Sequence, residues 1–296
     1  MSLVSILIPA YNAGRFIERA LESVRMQTLA EWEVIVVEDG SQDETQALVT
    51  KFAAEVPQMV RYERATENRG VSATRNRLLE LARGKYLAFL DADDFWKPEH
   101  LASGVATLEH GADLCFSGFL IFDLDTGETV TPPLVDLAAM GDVAARLFRS
   151  NFIQTSSLVM MRASAVRKTG LFDPQLAIGE DCDYWIRIIS MGGRLACTGA
   201  RTCVYTKHGK SAMAEPFRVA EHGVRFYRKH LENAVLPRVL RRRLYAQSLF
   251  NLARLIARAD AHCARSLFLK AWRLRPWDLR CPAFIARTWM LGYKSH

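Results

Sequence analysis

The sequence contains no run of about twenty apolar residues, so it predicts no membrane-spanning helix. Its first residues, MSLVSILIPAYNAG, carry no basic leader and no small-residue cleavage signal; they read as a first strand and not as a signal peptide. The six cysteines, at 115, 182, 197, 203, 263 and 281, include no CxxC pair. A chain of 296 residues, 50% of them hydrophobic, has core enough to do without disulfide staples. Reduced thiols are therefore expected, and a zinc site is not. After the first strand, where a nucleotidyltransferase would show a glycine-rich basic phosphate loop, the chain reads PAYNAGRF. No fixed-period repeat stands out.

Acidic residues are scarce at one end. The net charge of +7 hides a split: residues 215–296 hold 17 Lys/Arg against 5 Asp/Glu, whereas residues 1–214 hold 22 against 27. That asymmetry predicts two domains, an acid-bearing body over 1–214 and a basic appendage over 215–296 with a partner of its own. From Glu215 onward the pattern is almost entirely helical and rich in arginine.

In the body, apolar runs alternate with helical periodicity. SLVSILIP, EVIVVEDGS, Arg61–Glu63 and Lys85–Leu90 read as strands. Between them, RFIERALESVRMQT places Ile17, Leu21 and Val24 on one helical face. DETQALVTKFAAE reads as a second helix capped by Asp43 or Ser41, and VSATRNRLLELARG as a third closed by Gly84. This βαβ rhythm predicts a mostly parallel sheet with helices on both faces over about residues 1–100. Residues 101–214 are more mixed. Strands are expected at ADLCFSGFLIF, SSLVMMR, RLACTG and TCVYTKH, and helices at ASAVRKTG and GEDCDYWIRIISMG.

In such sheets ligands bind at the carboxyl ends of the strands. Three of those ends are polar: Pro9-Ala-Tyr-Asn12, Glu38-Asp-Gly-Ser41 and Asp91-Ala-Asp-Asp94. If the fourth strand continues through Asp91, side-chain alternation puts Asp91 and Asp93 on one face and Asp94 on the other. Two carboxylates about 5 Å apart repel by roughly 3 kcal/mol at an effective dielectric near 20, and a cation between them reverses that penalty. Oxygen ligands favour Mg2+ or Mn2+, which complete their shells with substrate phosphates. The pair therefore suggests a metal–diphosphate site. A solvated turn, or Asp94 as a helix cap, is the structural alternative.

The segments SILIPAYNAGRFIERALESVRMQT, WEVIVVEDGSQDET, NRGVSATRN, GKYLAFLDADDFWKPEHL and GEDCDYWIRI stand in the order and spacing of one family. Over roughly residues 3–210 the chain resembles the family 2 glycosyltransferases. The resemblance implies a GT-A fold, a Rossmann-like mixed sheet flanked by helices, here with an all-α C-terminal extension. It implies inverting transfer of a sugar from a nucleotide diphosphate donor to an acceptor hydroxyl, with Mn2+ or Mg2+.

Carried over by position, it makes Pro9, Ala10 and Tyr11 the wall of the base and ribose. Asp39 becomes the acid that accepts from the uracil N3–H, and Glu38 departs from the family's usual second aspartate. Asp91 lies by ribose and metal, Asp93 becomes the principal metal ligand, and Asp181 becomes the catalytic base. His208, in His208-x-x-Ser211, matches a segment that reaches metal or diphosphate, with a structural histidine as the alternative. Lys207 and Lys210 either clamp phosphate or are solvated charges. Arg75 either touches the diphosphate or holds the acidic rim in place. Glu180 is an acceptor contact or a charge complementing a helix dipole. Trp96 and Trp185 stack on sugar or pack in the core. No Gln-x-x-Arg-Trp follows GEDCDYWIRI, which by the resemblance implies a non-processive enzyme.

The basic tail interleaves Arg225, Arg228, Lys229 and Arg241–Arg243 with leucines and Phe250. It reads either as an amphipathic surface for anionic lipid headgroups or as a helical bundle with exposed arginines. The first reading suits a cytoplasmic enzyme, peripheral on the cytosolic membrane face, with a saccharide or lipid-linked saccharide acceptor. No nucleic-acid recognition module is visible. Two other functions remain as alternatives, a metal-dependent nucleotidyltransferase and a non-catalytic nucleotide-sugar-binding protein. Retention of Asp91, Asp93 and Asp181 speaks against the second.

Overall fold

A computed structural model describes residues 3–209 and 215–292, with side chains to residue 288. The first apolar run forms strand β1 (Val4–Ala10), and WEVIVVE forms β2 (Trp32–Glu38), which is buried along its whole length. Strands that run apolar without alternation need cover on both faces, as a parallel sheet provides. β3 (Val60–Arg64) and β4 (Tyr86–Phe89) complete this half, with β1–β2, β2–β3 and β1–β4 all parallel.

Helix α1 (Ile17–Arg25) buries Ile17, Ala20, Leu21 and Val24, the i, i+3, i+4, i+7 stripe of a surface helix. α2 (Thr45–Glu55) and α3 (Val71–Leu81) follow β2 and β3. Two expected helix ends differ. Glu44 occupies the N-cap position of α2, while Asp43 accepts hydrogen bonds from Thr45 N (3.1 Å) and Gly14 N (2.8 Å). Gly84 does not close α3; it lets the chain pass the sheet, because a Cβ there would sit 2.6 Å from Ser5 N.

The rest of the body supplies β5 (Phe95–Trp96), α4 (His100–Glu109), β6 (Leu114–Asp123), β7 (Thr129–Val130), α5 (Val143–Arg149), β8 (Val159–Arg162), α6 (Ala163–Thr169), α7 (Glu180–Ser190) and β9 (Leu195–Lys207). RLACTG and TCVYTKH, read as two strands, are one long strand, β9. Register shifts against β6 near Gly118 absorb the irregularity between them. The sheet order is β3-β2-β1-β4-β8-β6-β9-β5, with β7 paired to β6. β8 runs antiparallel to β4 and β6, so the sheet turns mixed there, as expected. β2 and β4 flank β1, which makes β1 the topological switch point.

The chain divides into two units, 1–209 and 210–296. The second is all-helical over its described residues: α8 (Pro216–Lys229), α9 (Arg238–Ile256), α10 (Ala261–Leu274) and α11 (Arg280–Gly292). Phe250, Phe268 and Phe284 form its aromatic centre, with ring centroids 5.3–5.4 Å apart. Asp260 caps α10 by accepting from Cys263 N at 2.8 Å. Among the described residues no helix is long and apolar enough to cross a membrane.

Candidate active site

Strand register sets the rim. Ala10 pairs with Glu38 and Leu7 with Phe89, so β1, β2 and β4 end side by side. Pro9 and Ala10 close β1, and Tyr11 follows with its ring more than half exposed. Asn12 adopts a left-handed conformation (φ 47°), which its short amide side chain tolerates. It ties two loops together: its N–H donates to Ser41 Oγ (2.8 Å), and its Oδ1 accepts from Gln42 N (3.1 Å). Asp39 is nearly buried and accepts from Arg69 N and Gly70 N, each at 2.8 Å. A carboxylate oxygen has two lone pairs, so both oxygens of Asp39 retain acceptor capacity. Glu38 is buried and takes the hydroxyl of Tyr62.

The acidic segment is a turn, which corrects the expected strand alternation. Leu90 N still bonds Leu7 O (3.0 Å), but Asp94 N then closes on Asp91 O (3.0 Å). Asp91 and Asp94 converge on one hydroxyl, that of Thr155, at 3.1 and 3.0 Å, while Asp93 turns to His208 Nε2 at 2.9 Å. Asp94 is buried, accepts from Thr206 N (2.9 Å), and is not the cap of the following helix, a position Glu99 fills. Burial and the Asp91 charge raise the Asp93 carboxyl above its ordinary range. Burial and both neighbouring acids raise Asp94 well above it.

Arg75, on α3, binds this turn to a distant helix. Its guanidinium donates to Asp91 Oδ1 (3.0 Å), Ser156 Oγ (2.6 Å) and the Glu180 carboxylate. Burial disfavours its charge, yet Asp91, Glu180 and Asp181 more than compensate and raise it. The alternative in which Arg75 holds the acids is therefore the one the geometry matches. Glu180, read as an acceptor contact or as a charge at a helix start, is the first residue of α7 and is buried against the same guanidinium.

Asp181 stands in the first turn of α7, entered through left-handed Gly179. Its Oδ1 accepts from Cys182 N at 2.6 Å. Burial pushes its carboxyl up to about 7, Glu180 adds to the rise, and Arg75 opposes it. A carboxyl that titrates near neutrality is suited to proton transfer.

Two expected sugar contacts are corrected. Trp185 is fully buried among Phe89, Phe172 and Tyr184, and Trp96 is buried, stacked on His100 and donating to Ser157 O at 2.8 Å. Neither offers a free ring face. Lys207 pairs with Asp123 at 2.8 Å; Lys210 and Ser211 lie outside the described residues.

Sequence reasoning missed Arg19 and the hydroxyl run Thr155-Ser156-Ser157. Arg19 donates to Thr206 Oγ1 (2.7 Å), and the charges of Asp94 and Asp93 reach it. Ser157 Oγ accepts from Asp91 N (2.9 Å), and Ser156 Oγ donates to Asp91 Oδ2 (2.9 Å). Three consecutive hydroxyl residues just ahead of a strand were the available signal.

A divalent cation fits the donor chemistry at Asp93. Asp93 is a raised, crowded carboxylate beside an imidazole nitrogen, with Asp91 behind it. No preformed group of three His, Cys, Asp or Glu ligands occurs among the described residues. Mg2+ and Mn2+ sites commonly rely on one or two carboxylates and substrate oxygens.

A parallel half-sheet with its switch point at β1, extended into a mixed sheet by β8, β6, β9 and β5 and flanked by helices, is the GT-A class of fold. The chain belongs to glycosyl transferase family 2, whose model matches residues 5–170. It is 35% identical over 124 residues to TuaG of Bacillus subtilis, named for teichuronic acid biosynthesis, a match over 42% of this chain and 49% of TuaG. The chain thus spans about half the length of that relative. It is 29% identical over 233 residues to WcaA of Escherichia coli K12, named for colanic acid biosynthesis, covering 77% of this chain and 81% of WcaA. It is 27% identical over 225 residues to Escherichia coli WfaP, a UDP-Glc:alpha-D-GlcNAc-diphosphoundecaprenol beta-1,3-glucosyltransferase, covering 74% of this chain and 82% of WfaP. Among solved structures, S. aureus TarS 1-349 with UDP-GlcNAc superposes with a TM-score of 0.71 at 18% identity, covering 97% of this chain and 89% of that one. The mannosyltransferase PcManGT of Pyrobaculum calidifontis, with GDP-Man and Mn2+, superposes with a TM-score of 0.63 at 19% identity, covering 98% and 84%.

Proposed function

We propose that this chain is an inverting, non-processive glycosyltransferase that moves a hexose or N-acetylhexosamine from a UDP-sugar to an acceptor hydroxyl in cell-surface polysaccharide or glycolipid assembly. The observation that carries this reading is Arg75, which ties the acidic turn at Asp91 to Glu180 beside Asp181, the carboxyl raised to about 7. One buried side chain thus links a donor-side cluster to a carboxyl suited to act as a base.

In this reading Tyr11 lies on the base, Pro9 and Ala10 back it, and Asp39 accepts from the uracil N3–H with its remaining lone pairs. Asp91, held by Arg75 and Ser156, faces the ribose. Asp93 and His208 would hold the divalent ion, whose chemistry when bound is to neutralise charge on the leaving diphosphate. Asp181 takes the acceptor proton as the acceptor oxygen attacks the anomeric carbon from the face opposite the diphosphate. A single displacement inverts that centre. Base catalysis of this kind is worth about 10²–10⁴-fold.

The relatives support the setting. TuaG and WcaA are named for surface polysaccharides, WfaP for a lipid-linked acceptor, and the two solved structures carry UDP-GlcNAc or GDP-Man with Mn2+. A lipid-linked acceptor also suits the basic helical unit, which in this reading rests on the anionic cytosolic face of the membrane. The test is nucleotide release from a panel of UDP- and GDP-sugars, with and without Mn2+, alongside Asp181→Asn. Metal-dependent release that disappears in the variant, while UDP still raises its melting temperature, is expected. No turnover with any donor, together with no nucleotide-dependent thermal shift, overturns the proposal.

A further inference from the structure

The segment Arg275-Pro-Trp-Asp-Leu-Arg280, which joins α10 to the first residue of α11, has its polarity reversed. Trp277 is 70% exposed and Leu279 77%, whereas the side chain of Asp278 between them is only 11% exposed. Soluble surfaces ordinarily show the charge and bury the ring; contiguous exposed apolar residues mark an interaction surface.

The loop is also held in shape. Asp278 Oδ1 accepts from Arg280 Nε (2.8 Å), and Asp278 Oδ2 accepts from Arg280 Nη2 (2.7 Å) and lies 3.6 Å from Arg275 Nη1. Asp278 N donates to Arg275 O (3.0 Å), and Cys281 N donates to Asp278 O (3.1 Å). Trp272, itself partly exposed, donates its indole N–H to Pro276 O (2.9 Å), and the Arg280 guanidinium covers the Phe250 ring at 4.9 Å. A pre-ordered loop loses little conformational entropy when it meets a partner.

We infer that this loop is a membrane-interface anchor, with Trp277 and Leu279 entering the headgroup region of an anionic bilayer. The inference rests on the peripheral placement proposed above and names the part of the chain that makes the contact. Charge complementarity selects the occupant. The tail from residue 215 holds 17 basic residues against 5 acidic, and Lys270, Arg273, Arg275 and Arg280 surround the loop in sequence. Tryptophan prefers the membrane–water interface because its ring is amphipathic. A hydrophobic tip on an arginine- and lysine-rich stretch of chain matches anionic lipid on both counts.

The test is flotation of the full chain with vesicles of phosphatidylglycerol and phosphatidylcholine, against phosphatidylcholine alone, for wild type and for Trp277→Ala/Leu279→Ala. The wild type is expected to prefer the anionic vesicles, more weakly at high salt, and the double variant to bind at least about tenfold more weakly. Transfer to a water-soluble acceptor should be the same in both, which separates this inference from the transferase reading. Equal binding of wild type and variant to anionic vesicles overturns the loop's role alone. Absence of vesicle binding by the wild type overturns the membrane placement with it. Concentration-dependent dimerisation that the double variant abolishes, without vesicle binding, reassigns the loop to contact with a second copy.

Discussion

Replacing Arg75 by methionine keeps much of the side chain's length and removes its charge. In the native structure the side chains of Arg75, Glu180 and Asp91 are 5, 10 and 25% exposed, so solvent screens the pairs little. Asp91 and Glu180 would face each other across an uncharged gap. Removing one partner of a buried ion pair typically costs about 3–5 kcal/mol, because the remaining charge stays desolvated. In a unit of this size that corresponds to a fall of about 6–20 °C in melting temperature. A second effect is independent of stability. Arg75 opposes the rise of the Asp181 carboxyl, so its loss lifts Asp181 above its value of about 7. The alkaline-rising limb of the transfer rate should move to higher pH. Adding Glu180→Gln removes one stranded acid and one source of the rise, so it should restore part of the stability and bring the limb back down. Thermal unfolding and initial rates across pH read both effects. A variant with unchanged melting temperature and an unmoved limb refutes the account of Arg75.

In the wild type, transfer should rise with pH through about 7 as Asp181 deprotonates, and Asp181→Asn should lower the rate by about 10²–10⁴-fold. The same raised carboxyl favours the protonated form in the fold, so its contribution to stability is greatest below the ordinary carboxylate range and is lost as pH rises toward 7. Thermal melts of wild type and Asp181→Asn across that window should therefore converge at low pH and separate at neutral pH, with the variant the more stable. Asp93→Ala should lose the added stability that UDP with Mn2+ gives the wild type, about 2.7 kcal/mol at a hundredfold excess over Kd; an undiminished shift would place the ion elsewhere. Gly84→Ala should cost about 1–3 kcal/mol, since its new methyl meets the Ser5 backbone at 2.6 Å. Denaturant unfolding measures it, and a neutral result would mean that this crossover yields.

Local pattern determined much of this protein. Unbroken apolar runs such as VSILIPA and WEVIVVE specify buried parallel strands, because alternation is absent when both faces are covered. The polar residues that follow β1, β2 and β4, Tyr11, Asp39 and Asp91 among them, fall on one rim for the same reason: parallel strands end on the same side. Helical periodicity after residue 214 likewise marked the helical C-terminal region, since a repeat along the chain needs no contacts to be read.

What the pattern could not specify is where side chains go once the chain leaves regular structure. Alternation paired Asp91 with Asp93, but the turn pairs Asp91 with Asp94 on Thr155 and sends Asp93 to His208, more than a hundred residues away. Arg75, Asp91, Ser156 and Glu180 meet only because α3, the acidic turn, the turn ahead of β8 and α7 come together. Trp96 and Trp185 were ambiguous because an indole serves a sugar or a core equally well, and only burial separates the two. The sequence by itself therefore determined the sheet, its acidic rim and the helical tail, each a property of neighbours along the chain. The tertiary structure alone decided which acid carries which partner, and that Asp181 titrates near neutrality, because desolvation and charge coupling depend on distance in space.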